Sequence, residues 1–467
     1  MSTPRFDDRW RAEAHRLVDM IFDHVGTVAD GPVVRWAPPA EMDADPAWQI
    51  DIGGAEPSRL TELARTLAQG SIQLHHPRYV GHQVCPPFAP AILADLAIAT
   101  LNQSTAVWEM SPAATTVEKK VIRWLCELAG FPDEAGGTTV SGGSAANLTA
   151  LMAARARWLR NAENTGRTPV VICSAAAHYS IARAVAILGS GIRIVETPSD
   201  AEGRIDVGEL ALALDSMEGS DESPMAIVAT AGSTAMGVFD AIARIADLRD
   251  RFRTWLHVDG AHGASVLLAP SLSALVDGIG RADSLSWDPH KMMWMPLSTS
   301  VLLVRDRSWL REAFQSDATY LFHRDRGEVD LGAMTIQCSR RADAVRLWLT
   351  LNTIGTDPFR EGLEIVAATT RKFHSMLDEA EDFEPLHAPD FNILCFRWRP
   401  AGVLDADLDA AQERARRNLV ESGDAWVSMA TIRGMRALRV TIINPATGAD
   451  DLEAILEAIR RAGARRE

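Results

Sequence analysis

From Phe6 to about Val28 the chain places Trp10, Ala14, Leu17, Val18, Ile21 and Val25 at helical spacing, which predicts an amphipathic helix. Residues 31–58 are punctuated by proline and glycine and read as a connector. Between about 75 and 345 the pattern alternates. Helical stretches (AILADLAIATLNQ, TTVEKKVIRWLCELAG, ANLTALMAARARWL, IARAVAILG, AIARIADLRDRF) are interleaved with short apolar runs (PVVICSA, RIVETP, MAIVATAG, TWLHVDGA, ADSLSWD, STSVLLVR). Such alternation predicts βαβ units and an α/β fold with a mostly parallel sheet covered on both faces. After the helical RRADAVRLWLTLNTIG the character changes at about 355. A helix over 358–380, a strand FNILCFRW, a helix DLDAAQERARRNLVESG, a strand RALRVTIIN and a last helix predict a smaller α+β domain. The expected division is an N-terminal helical segment (1–70), a large α/β domain (71–350) and a small C-terminal α+β domain (351–467).

Length and composition fit this picture: 467 residues, 47% hydrophobic and 23% charged, suit a two- or three-domain globular protein. A formal net charge of −15 argues against nucleic acid or an anionic membrane as partner. Five scattered cysteines, without CxxC or zinc-like spacing, read as reduced core thiols, so no metal site is expected. The charged N-terminus lacks a signal-peptide apolar region, and no apolar run reaches 18 residues. A cytoplasmic protein is the expectation.

Two strand ends carry candidate chemistry. TWLHVDGAHGA presents Asp259, and ADSLSWDPHKMM presents Lys291, each just past the carboxyl end of a buried strand. In open α/β sheets such ends face one crevice. A lysine amine that forms a Schiff base, with a carboxylate that keeps a pyridine nitrogen protonated, is the pair that pyridoxal phosphate chemistry needs. Taken singly, Asp259 could be a helix N-cap and Lys291 a surface lysine. In VSGGSAANL, Gly143 and Ser144 open a long helix after a glycine turn, which suits a phosphate as well as an ordinary cap. The motif is neither G-x-G-x-x-G nor a Walker sequence, so nucleotide binding is disfavoured. His178 ends another strand, where its flat ring could stack on a cofactor or merely cap a helix. Arg439 interrupts an apolar strand and needs an anion, either a substrate carboxylate or a structural Asp or Glu.

In order along the chain, HPRYVGH, LNQSTAVWEMSPAATTVE, VSGGSAANL, HYSI, ATAGSTAMGVFD, HVDGAHGA, SWDPHKMM, IQCSRRADAVRLW and LRVTIINP resemble the pyridoxal-phosphate-dependent group II amino acid decarboxylases. The resemblance implies a fold-type I, aspartate-aminotransferase-like architecture. It implies that Lys291 forms the Schiff base, His178 stacks on the cofactor ring, Asp259 pairs with the pyridinium and Ala261 packs on the other ring face. Gly143, Ser144 and His290 would hold the phosphate, with Ser233 nearby. His82 would sit near cofactor and substrate, and Arg439 would bind the substrate carboxylate. A homodimer with active sites at the subunit interface is also implied, the N-terminal segment packing on the partner.

WDPHKMM, YLFHRD and IQCSRR look closest to the glutamate and cysteine-sulfinate branch, which implies an acidic substrate (glutamate, aspartate or cysteine sulfinate). Diaminobutyrate and aromatic amino acids are the rivals. Two departures stand out. The run after Asp259 is DGAHGA, where the family has Ala-Trp or Ala-Tyr with glycine. Several relatives also carry a loop tyrosine that protonates the carbanion. The tyrosines here are Tyr79, Tyr179 and Tyr320, and Val329 falls close to the expected place. His323 or Tyr320 could supply the proton instead, or oxygen could capture the carbanion and yield an aldehyde. A non-catalytic binding protein on the same scaffold is disfavoured by intact Lys291, Asp259 and His178.

Overall fold

A computed structural model describes residues 7–54, 56–314 and 330–465. Tyr320, His323 and Val329 lie outside the described residues. By their contacts the residues form two units, one of 1–82, 369–386 and 394–467, the other of 83–368 and 387–393.

The second unit holds a seven-stranded sheet: β1 (Gly136–Val140), β2 (Thr168–Ser174), β3 (Arg193–Thr197), β4 (Glu222–Thr230), β5 (Trp255–Asp259), β6 (Ser284–Trp287) and β7 (Ser300–Val304). Their order is β1-β7-β6-β5-β4-β2-β3. Strands β2 to β6 run parallel, and β7 is antiparallel to both of its neighbours. Consecutive residues of β5, β6 and β7 are all buried, so both faces are covered; this is why these strands read as continuous apolar runs. One covering layer is the helix Gly143–Arg160, whose Ala146, Ala150, Leu151, Ala153 and Ala154 are buried in a core with Val171, Val228 and Leu302. The small alanines let this helix lie close to the strands.

The apolar runs locate β2 and β4 to β7 closely. The helix Val207–Asp215 is absent from the apolar pattern, although its start is marked locally. The Asp206 carboxylate accepts from the N–H groups of Gly208 and Glu209, as an N-cap does. Strand register decides which side chains become neighbours at the carboxyl ends of the sheet. Strands β5 and β6 pair so that His257 lies beside Ser284 and Asp259 beside Ser286, while Thr230 of β4 lies on the other side of Asp259.

The first unit contains a four-stranded sheet in the order β10-β11-β9-β8, from β8 (Phe383–Pro385), β9 (Ile393–Trp398), β10 (Ser428–Ile432) and β11 (Met435–Thr441). The turn between β10 and β11 puts Arg433 at φ 51° and Gly434 at φ 80°, the pair of positive angles that a tight two-residue hairpin turn needs. Helices Asp8–Thr27 and Arg59–Gly70 are joined by Glu13, fully buried, which accepts from the Thr61 N–H at 2.8 Å.

Cys85, Cys126, Cys173 and Cys395 are buried free thiols as expected, whereas Cys338 is exposed and is no core thiol. Among the described residues no helix is long and apolar enough to cross a membrane.

Candidate active site

The carboxyl ends of β2, β4, β5 and β6 and the glycine turn after β1 converge on a cavity of about 290 Å3 in the second unit. Lys291, His178, Gly143, Ser144, Asp259, Ala261 and His290 all line it. Ser233 does not. Its neighbours Gly232 and Thr234 face the cavity, while its hydroxyl accepts from the Val238 N–H within the turn after β4. His82 and Arg439 belong to the first unit, where the Arg439 guanidinium donates to the Gly81 carbonyl at 3.2 Å and the Ser428 hydroxyl at 3.1 Å. Burial lowers the His82 imidazole pKa, and the nearby Arg439 and Arg416 guanidiniums lower it further.

Lys291 sits in the short helix Pro289–Met292, which follows β6 directly. Its ammonium lies 3.0 Å from Asp288 Oδ2, on a carboxylate that is almost wholly buried. Asp288 Oδ1 has no hydrogen-bond partner among the described residues. His290 anchors this corner, its Nδ1 meeting the Thr299 carbonyl at 2.9 Å.

Asp259 ends β5 and caps no helix; its Oδ1 accepts from the Ala261 N–H at 3.2 Å and the Ser286 hydroxyl at 3.1 Å. The Asn147 amide donates to Oδ2 at 2.8 Å. Burial works against its charged form. The Lys291 ammonium, His257, the Asn147 amide and the Ala261 N–H outweigh that and hold the carboxyl below the usual carboxylate range.

The residues present fit pyridoxal phosphate. An amine and an ionised carboxylate share one cavity with a flat imidazole and with the first N–H groups of a long helix, which have no carbonyl one turn before them. Gly142 takes φ 137°, which a side chain would disfavour, and a Cβ on Gly143 would stand 2.8 Å from Asp288 Oδ2. That turn is shaped for close approach to backbone.

Several cavity residues were not singled out from sequence: Gln83, Thr230, Thr234, Asp288, Leu297 and Ser298. Asn147, in the first turn of the helix Gly143–Arg160, and His262, in the run DGAHGA, line the cavity as well. Asp288 precedes Lys291 by one helical turn, a spacing that could have flagged it. The family tyrosine or tryptophan position is filled by His262, which lines the cavity and bonds through Nε2 to Asn392 Oδ1 at 2.7 Å.

His257, behind Asp259 on the same face of β5, is fully buried, and burial pulls its imidazole from 6.5 down to about 4. The folded state thus binds this proton more weakly than the unfolded chain. The resulting stability is complete above about pH 6.5 and is lost as pH falls toward 4, on the order of 3 kcal/mol for this group. Urea unfolding at pH 7 and pH 4.5 is expected to show that loss, and His257→Gln should make it shallower. An unchanged acid slope in the variant would contradict the assignment.

The pyridoxal-dependent decarboxylase conserved domain matches residues 39–399. The L-2,4-diaminobutyrate decarboxylase of Rhizobium meliloti is 34% identical over 89% of this chain and 83% of its own length. The cysteine sulfinic acid decarboxylase of Rattus norvegicus is 30% identical over 94% and 92%. The crystal structure of Oryza sativa TDC with PLP and tryptamine superposes with a TM-score of 0.90 at 25% identity, covering 99% of both chains. The chain belongs to the pyridoxal-phosphate-dependent amino acid decarboxylases, carboxy-lyases of fold type I.

Proposed function

We propose that the enzyme decarboxylates an acidic L-amino acid (glutamate, aspartate or cysteine sulfinate), with each cavity residue in a distinct role. The observation that carries the site assignment is the convergence of Lys291, Asp259, His178 and the Gly143–Ser144 turn on one cavity. Bound pyridoxal phosphate supplies an aldehyde for the amino group and a ring that takes up the electron pair left when carbon dioxide departs.

Lys291 would offer its amine to the aldehyde, its position set by Asp288, 3.0 Å away. Asp259, held ionised, would keep a proton on the pyridine nitrogen. Gly143 and Ser144 would bind the phosphate through N–H donors, with His290 beside them. His178 and Ala261, both lining the cavity, would pack against the cofactor ring. The 30% identity to the rat cysteine sulfinic acid decarboxylase supports an acidic substrate.

Diaminobutyrate is the second reading, favoured by the 34% identity to the Rhizobium enzyme. The tyrosine-poor stretch FHRDRGEVDLGAM favours a different fate for the carbanion, capture by oxygen to give an aldehyde. We infer as well a cytoplasmic homodimer: Leu60, Leu63 and Leu67, on one face of the helix Arg59–Gly70, are exposed together with Phe22 and suit a second copy of the chain.

One experiment covers these readings: purified enzyme of measured solution mass is offered each amino acid while carbon dioxide, oxygen and peroxide are followed. Release of carbon dioxide from an acidic substrate without oxygen uptake, by a dimer, is expected. Turnover of diaminobutyrate or an aromatic amino acid alone would overturn the substrate assignment. Stoichiometric oxygen uptake would establish the aldehyde outcome, and a monomeric mass would refute the dimer.

A further inference from the structure

Behind the cavity runs a chain of hydrogen bonds between buried side chains. The Trp255 indole nitrogen lies 2.8 Å from Ser284 Oγ, which lies 2.9 Å from His257 Nδ1. His257 Nε2 is 2.9 Å from Asn147 Oδ1. The Asn147 amide nitrogen reaches Asp259 Oδ2 at 2.8 Å and Ser180 Oγ at 2.9 Å, and Ser180 Oγ is 2.7 Å from His178 Nδ1.

Two groups in this chain have no choice of role. An ionised carboxylate only accepts, and an indole N–H only donates. Because Asp259 accepts, Asn147 must present its NH2 to it, which turns Oδ1 toward His257. His257 Nε2 must therefore carry a proton. His257 is neutral near pH 7, so its Nδ1 accepts from the Ser284 hydroxyl. Ser284 in turn takes the Trp255 indole N–H. The Ser284 hydroxyl accepts the indole N–H through a lone pair and keeps its own proton for His257, so the indole end is compatible with the directions that Asp259 sets.

The second amide hydrogen of Asn147 is given to Ser180 Oγ. The Ser180 backbone N–H points at His178 Nδ1 at 3.3 Å, which requires that nitrogen to be bare, and the Ser180 hydroxyl, 2.7 Å away, then turns its proton to the same atom. Burial lowers the His178 imidazole pKa, opposed by Asp259, so the ring is neutral near pH 7.

We propose that Asn147 is the branching point of a one-way hydrogen-bond chain that fixes His178 as its Nε2–H tautomer. His178 then offers the cavity a donor at Nε2, and not a base. Asn147, Ser180, His257 and Ser284 are positioning residues, acting on the site through His178 and Asp259. The functional meaning rests on the cofactor reading under Proposed function; the tautomer itself does not.

The test is nitrogen NMR on the full-length chain labelled with 15N-histidine, first without and then with pyridoxal phosphate, at neutral pH. His178 and His257 signals are assigned by their loss in His178→Gln and His257→Gln. In the wild type both rings are expected to show a protonated Nε2 and a bare Nδ1, in the cofactor-free protein already. Ser180→Ala removes the hydroxyl but keeps the longer backbone N–H contact, so His178 should move partway toward a tautomer-averaged signal while His257 keeps its pattern. Asn147→Leu should release both, and weaken pyridoxal phosphate binding about tenfold, the loss of one hydrogen bond to a charged group. A wild-type His178 with its proton on Nδ1, or averaged between the two nitrogens, overturns the proposal even if neither Ser180→Ala nor Asn147→Leu folds. So does an Asn147→Leu protein in which both rings keep the fixed pattern. Correct tautomers without pyridoxal phosphate binding would leave the chain standing and refute the cofactor assignment instead.

Discussion

Lys291→Ala is expected to abolish the visible absorbance that the enzyme shows with pyridoxal phosphate, and to lower carbon dioxide release by more than about 10³-fold, the scale of a lost positioned acid–base group with covalent anchoring lost besides. The substitution also removes the cation beside Asp288, so a structural effect must be separated from a chemical one. Lys291→Arg does this. A guanidinium preserves the charge facing the buried Asp288 carboxylate, which lies 3.0 Å from the native ammonium, but it cannot lose a proton and act as a nucleophile. Both variants should be silent, and Lys291→Arg should unfold at a denaturant concentration close to that of the wild type. Wild-type turnover in either variant would refute the role given to Lys291.

The largest stability effect is expected at a pair remote in sequence. Glu118, in the helix Pro112–Leu128, and Arg340 are 2.5 Å apart, with 2% and 1% of their side chains exposed. Arg340 also donates to the hydroxyls of Thr138 and Thr139 at 2.9 Å, and Glu118 accepts the Thr139 N–H at 3.0 Å. The pair therefore ties that helix to the strand that leads into the glycine turn of the cavity. Glu118→Ala strands a guanidinium without its counter-ion in the interior, which costs about 3–5 kcal/mol. Replacing both groups by apolar residues of similar volume, Glu118→Leu with Arg340→Met, removes the stranded charge and should recover most of that loss. Chemical denaturation of the single and double variants reads the difference. A single variant that loses less than about 1 kcal/mol would place the pair with ordinary surface ion pairs.

Most of the sheet was legible in the sequence because its central strands are buried on both faces and so appear as apolar runs, with helices of period 3.6 between them, whereas the edge strand β1, GGTTV, carries no such run. The residues that close those runs were legible too. Asp259 and Lys291 each follow a strand directly, and a charge at the end of a buried strand stands out against its apolar setting. Gly143 and Ser144 announced themselves by a glycine pair before a helix, and the ordered series of motifs named the family.

Other features left no local trace. Ser233 belongs to the right turn, but the backbone path there aims its hydroxyl at Val238 and gives the cavity wall to Gly232 and Thr234. His257 looked like one more residue of an apolar strand. It is functional in our reading only because the β5–β6 register sets it beside Ser284 and because the helix after the glycine turn lays Asn147 against it. Glu118 and Arg340, 222 positions apart, meet only once the strand and helix have packed. The sequence alone thus determined most of the sheet, the family and the residues at strand ends, since these depend on periodicity and on neighbours along the chain. Strand register and helix packing decided the rest, because a hydrogen bond between distant residues exists only where tertiary structure brings a donor and an acceptor within about 3 Å.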